Sequence, residues 1–292
     1  MRRHATVTAA TLALAAAALG LAAELGPVHL LGGPFEASGV TQAPGGTGIL
    51  FVDDRRPDGV LWMDLAADGT PAGQPVAVPL GLAVDDPEGI TTDGRYVYVV
   101  GSQSRGDARG TGLVRFRYDA GSHAASDVQA IEGLRSLLGG AIPALLEGGR
   151  KGALNIEGLA WDSKGKRLLL GLRAPLDREG RAMVVPVRLR DPRGAWAAPN
   201  LEVGAPIAVG LDGQGVRGLE ADGDSGLFLL VAGDVEGAGA SRLLRWDGRS
   251  PTAKPVATFP KELKPEGAAR ATVGGRSRIL VICDTSRYLF VD

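Results

Sequence analysis

The hydrophobic residues of this chain recur in short, dense runs that are separated by polar turns. Five runs are the most apolar, and each follows a glycine-centred stretch and a turn rich in Gly, Pro, Asp or Ser. These five runs occupy residues 49–52, 96–100, 168–172, 227–231 and 279–282. Runs of this length between turn residues are typical of β-strands, and their recurrence indicates a repeat architecture.

Each of the first four repeats contains four such runs, and the fifth contains three. The first surrounds a glycine (Gly39, Gly89, Gly158, Gly218 or Gly267), and the second is the dense apolar run. Two weaker runs follow, such as residues 60–63 and 76–80 in the first repeat. In the third repeat the fourth run is at residues 207–211. Four antiparallel strands per repeat form the blade of a β-propeller. We therefore predict an all-β fold, a five-bladed β-propeller with four-stranded antiparallel blades.

The fifth repeat stops at Asp292 after its third strand. Near the other end of the chain, residues 28–31 form a strand-like run with no partner in their own neighbourhood. We predict that this N-terminal strand closes the last blade, because a shared blade removes the free sheet edge and fastens the ring.

One long interval between repeats contains an insertion at residues 133–152. Its leucines and isoleucine fall at helical spacing, and Pro143 breaks or restarts the helix. Two interpretations stay open for this helical insertion: a helix packed on the outside of a neighbouring blade, or a lid over one end of the ring.

Composition and the first residues limit the possible partners. With 45% hydrophobic and 22% charged residues the chain can bury a large core. A net charge of −1 without long runs of one sign argues against nucleic acid or an anionic membrane as partner. Residues 1–23 have the basic, then apolar, then small-residue pattern of an export signal. We therefore expect a secreted or periplasmic protein with one propeller domain at residues 24–292. We expect a small-molecule ligand and no membrane contact beyond the signal. Nothing in the sequence indicates an oligomeric state.

The distinctive charges lie where a propeller would gather them. In a propeller, the loops that lead into the first strands and the loops between second and third strands share one face. The first set of loops holds Glu36, Glu88, Glu157, Arg217 and Glu266, and the second holds Asp53, Ser102, Arg105, Arg173, Asp284 and Arg287. The sequence thus predicts a mixed ring of carboxylates and arginines at one mouth of the channel.

Two roles are open for this ring. As a binding site, Glu88, Glu157 and Glu266 with Asp53 or Asp284 would hold a hard cation, Ca²⁺ or Mg²⁺, because all the ligand atoms are oxygens. Arg105, Arg173, Arg217 and Arg287 would then bind an anionic group, and Ser102 would add a hydrogen bond. As structure, the same carboxylates would pair with arginines of adjoining blades and need no ligand.

The histidines restrict the chemistry. His4 lies in the signal, His29 in the closing strand and His123 in a turn on the other face. A Ser-His-Asp site or a histidine zinc site therefore cannot form at the predicted mouth, and hydrolysis there would need a metal-held water or a carboxylate base.

Several of these motifs resemble known families. Residues 155–159, 171–175 and 101–105, together with 215–219 and 264–267, resemble a bacterial family catalogued as domain of unknown function 3616, which has no assigned activity. Residues 87–89 and 265–267, both Pro-Glu-Gly, are similar to the metal-binding motif of six-bladed, calcium-dependent lactonases of the gluconolactonase and paraoxonase type. Phytase-like esterase propellers have the same style of repeat. These resemblances imply a propeller and, more loosely, a metal-dependent site.

The sequence thus supports two functional hypotheses. The first is an exported propeller that binds a small anionic or metal-chelated ligand at its mouth, with divalent-metal-dependent hydrolysis of a phosphoester or lactone as the reaction. The alternative is a non-catalytic binding or scaffold protein in which the Glu/Arg ring is purely structural.

Overall fold

The computed structural model describes residues 23–105, 111–147, 154–237 and 239–292. The predicted export signal, apart from Ala23, lies outside the described residues. Within them the chain forms five antiparallel sheets arranged as the blades of a five-bladed propeller, which confirms the predicted fold. None of the helices described there is both long and apolar enough to cross a bilayer.

The strands follow the chain in order, blade by blade. Blade 1 contains β2 (Ala37–Gln42), β3 (Ile49–Asp53), β4 (Gly59–Met63) and β5 (Val76–Pro79), and blade 2 contains β6 (Pro87–Thr92), β7 (Val97–Gly101), β8 (Leu113–Asp119) and β9 (Ala124–Ile131). Blade 3 contains β10 (Asn155–Asp162), β11 (Arg167–Ala174), β12 (Ala182–Leu189), β13 (Leu201–Val203) and β14 (Ile207–Val209). Blade 4 contains β15 (Gly215–Ala221), β16 (Phe228–Gly233), β17 (Ser241–Trp246) and β18 (Lys254–Phe259), and blade 5 contains β19 (Pro265–Val273), β20 (Arg276–Cys283), β21 (Arg287–Val291) and β1 (His29–Leu30).

The two ends of the chain share blade 5, as predicted. β1 pairs antiparallel with β21, with His29 opposite Tyr288 and Leu30 opposite Arg287. The Leu31 backbone N–H donates to the carbonyl oxygen of Ser286 at 3.0 Å, and the Leu31 side chain is fully buried. The N-terminal strand therefore both completes the sheet and contributes to the core.

The outer edge of blade 3 differs from the predicted single fourth strand at residues 207–211. Two short strands, β13 and β14, pair with different halves of β12. The residues between them include Gly204 and Pro206. Proline has no N–H to donate to a ladder, so the outer strand is interrupted there.

An apolar cluster fills each of the five interfaces between neighbouring blades. The motif glycines make the inner strands approach closely. A Cβ on Gly39 would lie 2.6 Å from the Glu88 carbonyl oxygen in blade 2, and one on Gly267 would lie 2.6 Å from the Ser38 carbonyl oxygen in blade 1. The ring is therefore closed by backbone contacts that only glycine permits.

The insertion after blade 2 begins with an α-helix, α1 (Leu134–Ala141), followed by a 3-10 turn at Pro143–Leu145. Leu134 and Leu138 are fully buried in the cluster between blades 2 and 3. Arg135 Nη1 donates to the Gln103 carbonyl oxygen at 2.6 Å, so the helix is also tied to the loop after β7. The described part of the insertion is packed against the propeller; residues 148–152 lie outside the described residues. Two further 3-10 turns, Ala198–Asn200 and Gly223–Ser225, lie in loops.

Candidate functional site

Each inner strand begins with a β-bulge at its glycine motif. The pairing register shifts between Pro87 and Gly89, between Ile156 and Gly158, and at the equivalent points of the other blades. A bulge leaves one residue unpaired and re-aims its side chain. The residues before the five glycines are Ser38, Glu88, Glu157, Arg217 and Glu266. They form the ring at the mouth.

In blade 1 the ring position belongs to Ser38 and not to Glu36. Glu36 lies two residues earlier, its side chain is 39% exposed, and it forms an ion pair with Arg55. Ser38 Oγ donates to Asp54 Oδ1 at 2.6 Å. The ring is therefore asymmetric, because blade 1 contributes a hydroxyl group and not a charge.

One half of the ring is charge-paired. Arg173 Nη1 lies 2.7 Å from Glu157 Oε1, and Arg217 Nη1 lies 2.5 Å from Glu266 Oε1. All four side chains are at most 18% exposed. Burial raises the pKa of Glu266, and Arg217 opposes that rise. In this half the arginines are already engaged by the carboxylates that the sequence proposed as metal ligands.

The other half of the ring is acidic. Carboxylate oxygens of Asp54, Asp86 and Glu88 lie within 4.8 Å of one another; we call these three residues the acidic cluster. Ser102 Oγ donates to Asp86 Oδ2 at 2.6 Å, and Ser38 holds Asp54 as described above. Among the described residues, none hydrogen bonds to the Glu88 carboxylate.

Little positive charge compensates the acidic cluster. Its one ion-pair partner among the described residues is Arg105, whose Nη2 lies 3.4 Å from Asp86 Oδ1 and whose side chain is 53% exposed. Burial, opposed by the Ser38 hydrogen bond, raises the pKa of Asp54 to about 7. Burial, followed by the charge of Glu157, raises the pKa of Glu88 well above its ordinary value. Burial thus disfavours ionisation of two of the three carboxyl groups, those of Asp54 and Glu88.

A buried oxygen of Glu157 extends the acidic cluster toward blade 3. Glu157 Oε1 accepts from Arg173 and from Asn155 Nδ2, the latter at 3.0 Å. Glu157 Oε2 and Asn155 Oδ1 are buried and accept no hydrogen bond from the described residues. Buried oxygens without a donor are uncommon in proteins and indicate an unfilled interaction.

The other residues proposed from the sequence lie apart from the acidic cluster. Asp53 is 2% exposed, and its Oδ1 accepts from the backbone N–H groups of Glu36 and Arg55 at 3.2 and 3.1 Å. Asp284 Oδ2 pairs with Lys264 Nζ at 3.0 Å. Arg287 is exposed at the start of β21 and forms no ion pair with the described residues. Asp53 therefore fixes a loop, and Asp284 is neutralised locally.

Sequence reasoning did not propose Asp54 or Asp86 as metal ligands. Asp86 directly precedes Pro87-Glu88, and Asp54 directly follows Asp53. Asp86 could have been found from the sequence, because it belongs to the glycine-centred motif that recurs in every blade. For Asp54 the signal was the alternation of side-chain direction along a strand, since neighbouring residues at a strand end point to opposite sides.

Below the ring the channel is blocked. Thr41 Oγ1, in blade 1, donates to Glu220 Oε1, in blade 4, at 2.9 Å. These blades are not neighbours in the ring, so the bond crosses the axis. Only about 10 Å³ of cavity remains at this level, about the space of one water molecule. A ligand of the mouth must therefore enter and leave on the same face.

One family model matches slightly less than half of the chain. Residues 137–275 match the model of a family described as "Protein of unknown function (DUF3616)". The resemblance to this family is thus confirmed over that segment, and the chain contains a propeller domain of unknown function. A search of curated proteins gave no match.

Many solved structures match the chain. One is a crystal structure from Thermus thermophilus of a proposed oxidoreductase (glucose dehydrogenase). It is 16% identical, the match covers 92% of this chain and 100% of the other, and the TM-score is 0.45. Similarity at this level says nothing about the reaction.

We expect the stability of the metal-free protein to fall as pH rises. Because the pKa of Asp54 is raised to about 7, the folded state binds more protons than the unfolded state from about pH 4 to pH 7. In EDTA Asp54 alone should therefore lower the free energy of unfolding by about 2 kcal/mol between pH 5 and pH 8, and the raised pKa values of Glu88 and Glu266 add to the decrease. Urea denaturation at each pH measures this. The D54N variant should have a flatter profile, and an unchanged slope in D54N would show that another group is responsible.

Proposed function

We propose that this propeller binds a hard divalent cation, Ca²⁺ or Mg²⁺, at its mouth through Asp54, Asp86 and Glu88. The observation that supports this most is the 4.8 Å grouping of three carboxylate oxygens with little compensating charge. Ca²⁺ takes six to eight oxygen ligands from carboxylates, carbonyls and waters, whereas Mg²⁺ keeps several of its waters. Either ion would favour the ionised forms of Asp54 and Glu88, whose pKa values burial raises.

The residues present fit such an ion. The acidic cluster contains oxygen ligands alone, and two of its members are oriented by serine hydroxyl groups. The Ser38 hydrogen bond leaves Asp54 Oδ2 available, and Asp86 Oδ1 has only the long contact to the exposed Arg105. Glu157 Oε2 and Asn155 Oδ1 are further oxygen ligands that accept no hydrogen bond from the described residues. The histidine and thiolate ligands that zinc prefers are not part of the cluster.

The bound cation would recruit a small anionic molecule to the mouth. Arg105 is the residue best placed to contact that molecule, because its side chain is half exposed and its two ion-pair distances, to Asp85 and Asp86, are long at 3.5 and 3.4 Å. Ser102 and Ser104 lie beside Asp86 and offer further hydrogen bonds. Arg173 and Arg217 are less available, since each is buried against a glutamate.

The reaction class that we propose is hydrolysis of a phosphoester or lactone. A divalent ion supplies a polarised substrate oxygen and a more acidic water to such reactions. The chain contributes the anion-binding arginine and the hydroxyl groups around Asp86. We further propose that the protein works outside the cytoplasm, as residues 1–23 suggest, where Ca²⁺ sites of modest affinity are loaded.

A second candidate function, a non-catalytic scaffold, is favoured only by the charge-paired half of the ring. The buried pairs Arg173–Glu157 and Arg217–Glu266 join ring residues without any ligand. If the acidic half binds nothing, the protein is a scaffold whose ring is structural.

Calorimetric titration of CaCl₂ and MgCl₂ into the metal-free protein separates the two candidates. We expect one site per chain, with a dissociation constant in the range of about 10⁻⁵ to 10⁻³ M for Ca²⁺. The E88Q variant should lose this binding, because it removes the cluster charge that no described residue neutralises.

The matched control is D284N, which removes a mouth carboxylate that pairs with Lys264 and lies apart from the acidic cluster. It should bind as the wild type does. Absence of heat from either cation at millimolar concentration would exclude the cation site and leave the scaffold.

A further inference from the structure

A second concave site lies on the opposite face of the propeller, between blades 2 and 3. This cleft has a volume of about 370 Å³, within the range of small-molecule sites. Its walls include Tyr96, Tyr98, Trp161 and Trp196. The chain has only four tryptophans and four tyrosines, so half of them line this one cleft.

The aromatic walls are held in defined positions. Tyr98 and Trp161 have rings inclined by only 3°, with centroids 6.0 Å apart, and they come from neighbouring blades. The Tyr98 hydroxyl donates to Asp93 Oδ2 at 2.7 Å. These contacts fix the rings of both blades without filling the space between the walls.

The loop between β12 and β13 brings Trp196 across the cleft. Asn200 fastens this loop, because its Nδ2 donates to the carbonyl oxygens of Asp191 and Ala195 at 2.9 and 3.0 Å. Trp196 then stacks on the Arg115 guanidinium, whose Cζ lies 4.4 Å from the ring centroid. The indole Nε1 of Trp196 is buried and donates to none of the described residues. A buried N–H without an acceptor indicates a place for one.

The cleft carries excess positive charge. Arg167 and Arg188 pair with Asp162 and Glu202 at 2.8 and 2.9 Å. Three other cations in the lining, Arg95, Arg115 and Lys166, form no ion pair with any described carboxylate. The single acidic residue of the lining is Asp93, which is engaged by Tyr98 and by backbone N–H groups.

We propose that this cleft binds a small planar anion, that is, an aromatic ring bearing a carboxylate, sulfonate or phosphate. The ring would lie against the tyrosine and tryptophan walls, and the anionic group would contact the exposed Arg95 and Lys166. Flat apolar walls with guanidinium and ammonium groups that have no carboxylate partner among the described residues are complementary to such a molecule and disfavour a cation. The site is independent of the mouth, since it contains none of the mouth residues and needs no metal.

Isothermal titration with 2-naphthoate tests this proposal, with the uncharged 2-naphthamide as the matched ligand. We expect 2-naphthoate to bind, 2-naphthamide to bind at least about fivefold more weakly, and added NaCl to weaken 2-naphthoate binding. EDTA should change neither affinity, which separates this site from the cation site.

Substitutions in the cleft test which of its residues bind the anionic group. R95Q/K166Q should weaken 2-naphthoate binding about tenfold, since it removes two partly exposed charges from the rim. K164Q is the control, because Lys164 lies on the same hairpin but lines the cleft between blades 3 and 4. Equal affinity for the two ligands, an unchanged double variant, or no binding of 2-naphthoate at millimolar concentration would overturn the proposal.

Discussion

Replacing Gly218 by alanine is expected to lower the free energy of unfolding by about 4 kcal/mol, one of the largest effects of any single substitution in this chain. A Cβ on Gly218 would lie 2.3 Å from the Glu266 carbonyl oxygen and 3.0 Å from the Gly267 Cα. Both atoms belong to the backbone of the next blade, so no side chain can move aside to make room. Two inner strands would have to separate, which disturbs the contact on which ring closure depends.

Urea denaturation followed by circular dichroism measures this loss. G73A is the control, because a Cβ on Gly73 meets nothing within 4 Å and its φ is not positive. G73A should stay within about 0.5 kcal/mol of the wild type. If G218A unfolds at the same urea concentration as G73A, the backbone of Gly218 does not lie as close to Glu266 and Gly267 as the structure indicates.

The second large effect is expected at Arg217. Its guanidinium pairs with Glu266, and its Nε also lies 3.8 Å from Glu157 Oε2. R217M would keep an unbranched apolar stem but remove the guanidinium, which leaves the buried carboxylates of Glu266 and Glu157 without it. We expect a loss of about 4 kcal/mol at pH 8.5, because breaking a buried ion pair leaves an uncompensated charge. At pH 6 the loss should be smaller, since the carboxyl groups can then take up protons.

The double variant R217M/E266Q distinguishes lost pairing from lost packing. Removing the stranded charge together with its partner should recover most of the stability at pH 8.5. If R217M and the double variant are equally unstable, Arg217 stabilises the ring by packing, and its ion pair with Glu266 does not contribute as expected.

The five-bladed fold could be predicted because two independent signals coincided. Dense apolar runs such as 168–172 identified buried strands, and glycines such as Gly158 marked where an inner strand approaches its neighbour. The unpaired run at 28–31 then matched the missing strand of the last repeat. The apolar runs and the motif glycines are both local features of the sequence, and the repeat shows each of them five times.

The site was predicted less completely, because its composition depends on local backbone geometry. The bulge at Gly39 gives the blade 1 ring position to Ser38, and the acidic side chain of Glu36 is directed to Arg55 instead. Likewise, Asp53 turns back to bind backbone N–H groups, and Asp54 joins Asp86 and Glu88. A shift of one residue in a strand exchanges the two sides of the sheet, and composition alone does not reveal it.

The cleft between blades 2 and 3 could not be found from sequence patterns. Its hairpin residues, such as Arg95 and Lys166, have the composition of ordinary turns, and Trp196 lies in a polar loop. Only the propeller geometry brings these distant positions to one interface. The unusual feature visible in the sequence was the presence of aromatic residues near those turns.

The most direct test of the cation site is to locate the ion. A crystal soaked in MnCl₂ and measured at the manganese absorption edge should give one strong anomalous peak within about 2.5 Å of oxygens from Asp54, Asp86 and Glu88. Mn²⁺ serves as the probe because it accepts the same oxygen ligands as Mg²⁺ and Ca²⁺. A mouth without any anomalous peak, or a peak held by Glu157 and Glu266 with the acidic cluster empty, would contradict the proposed site.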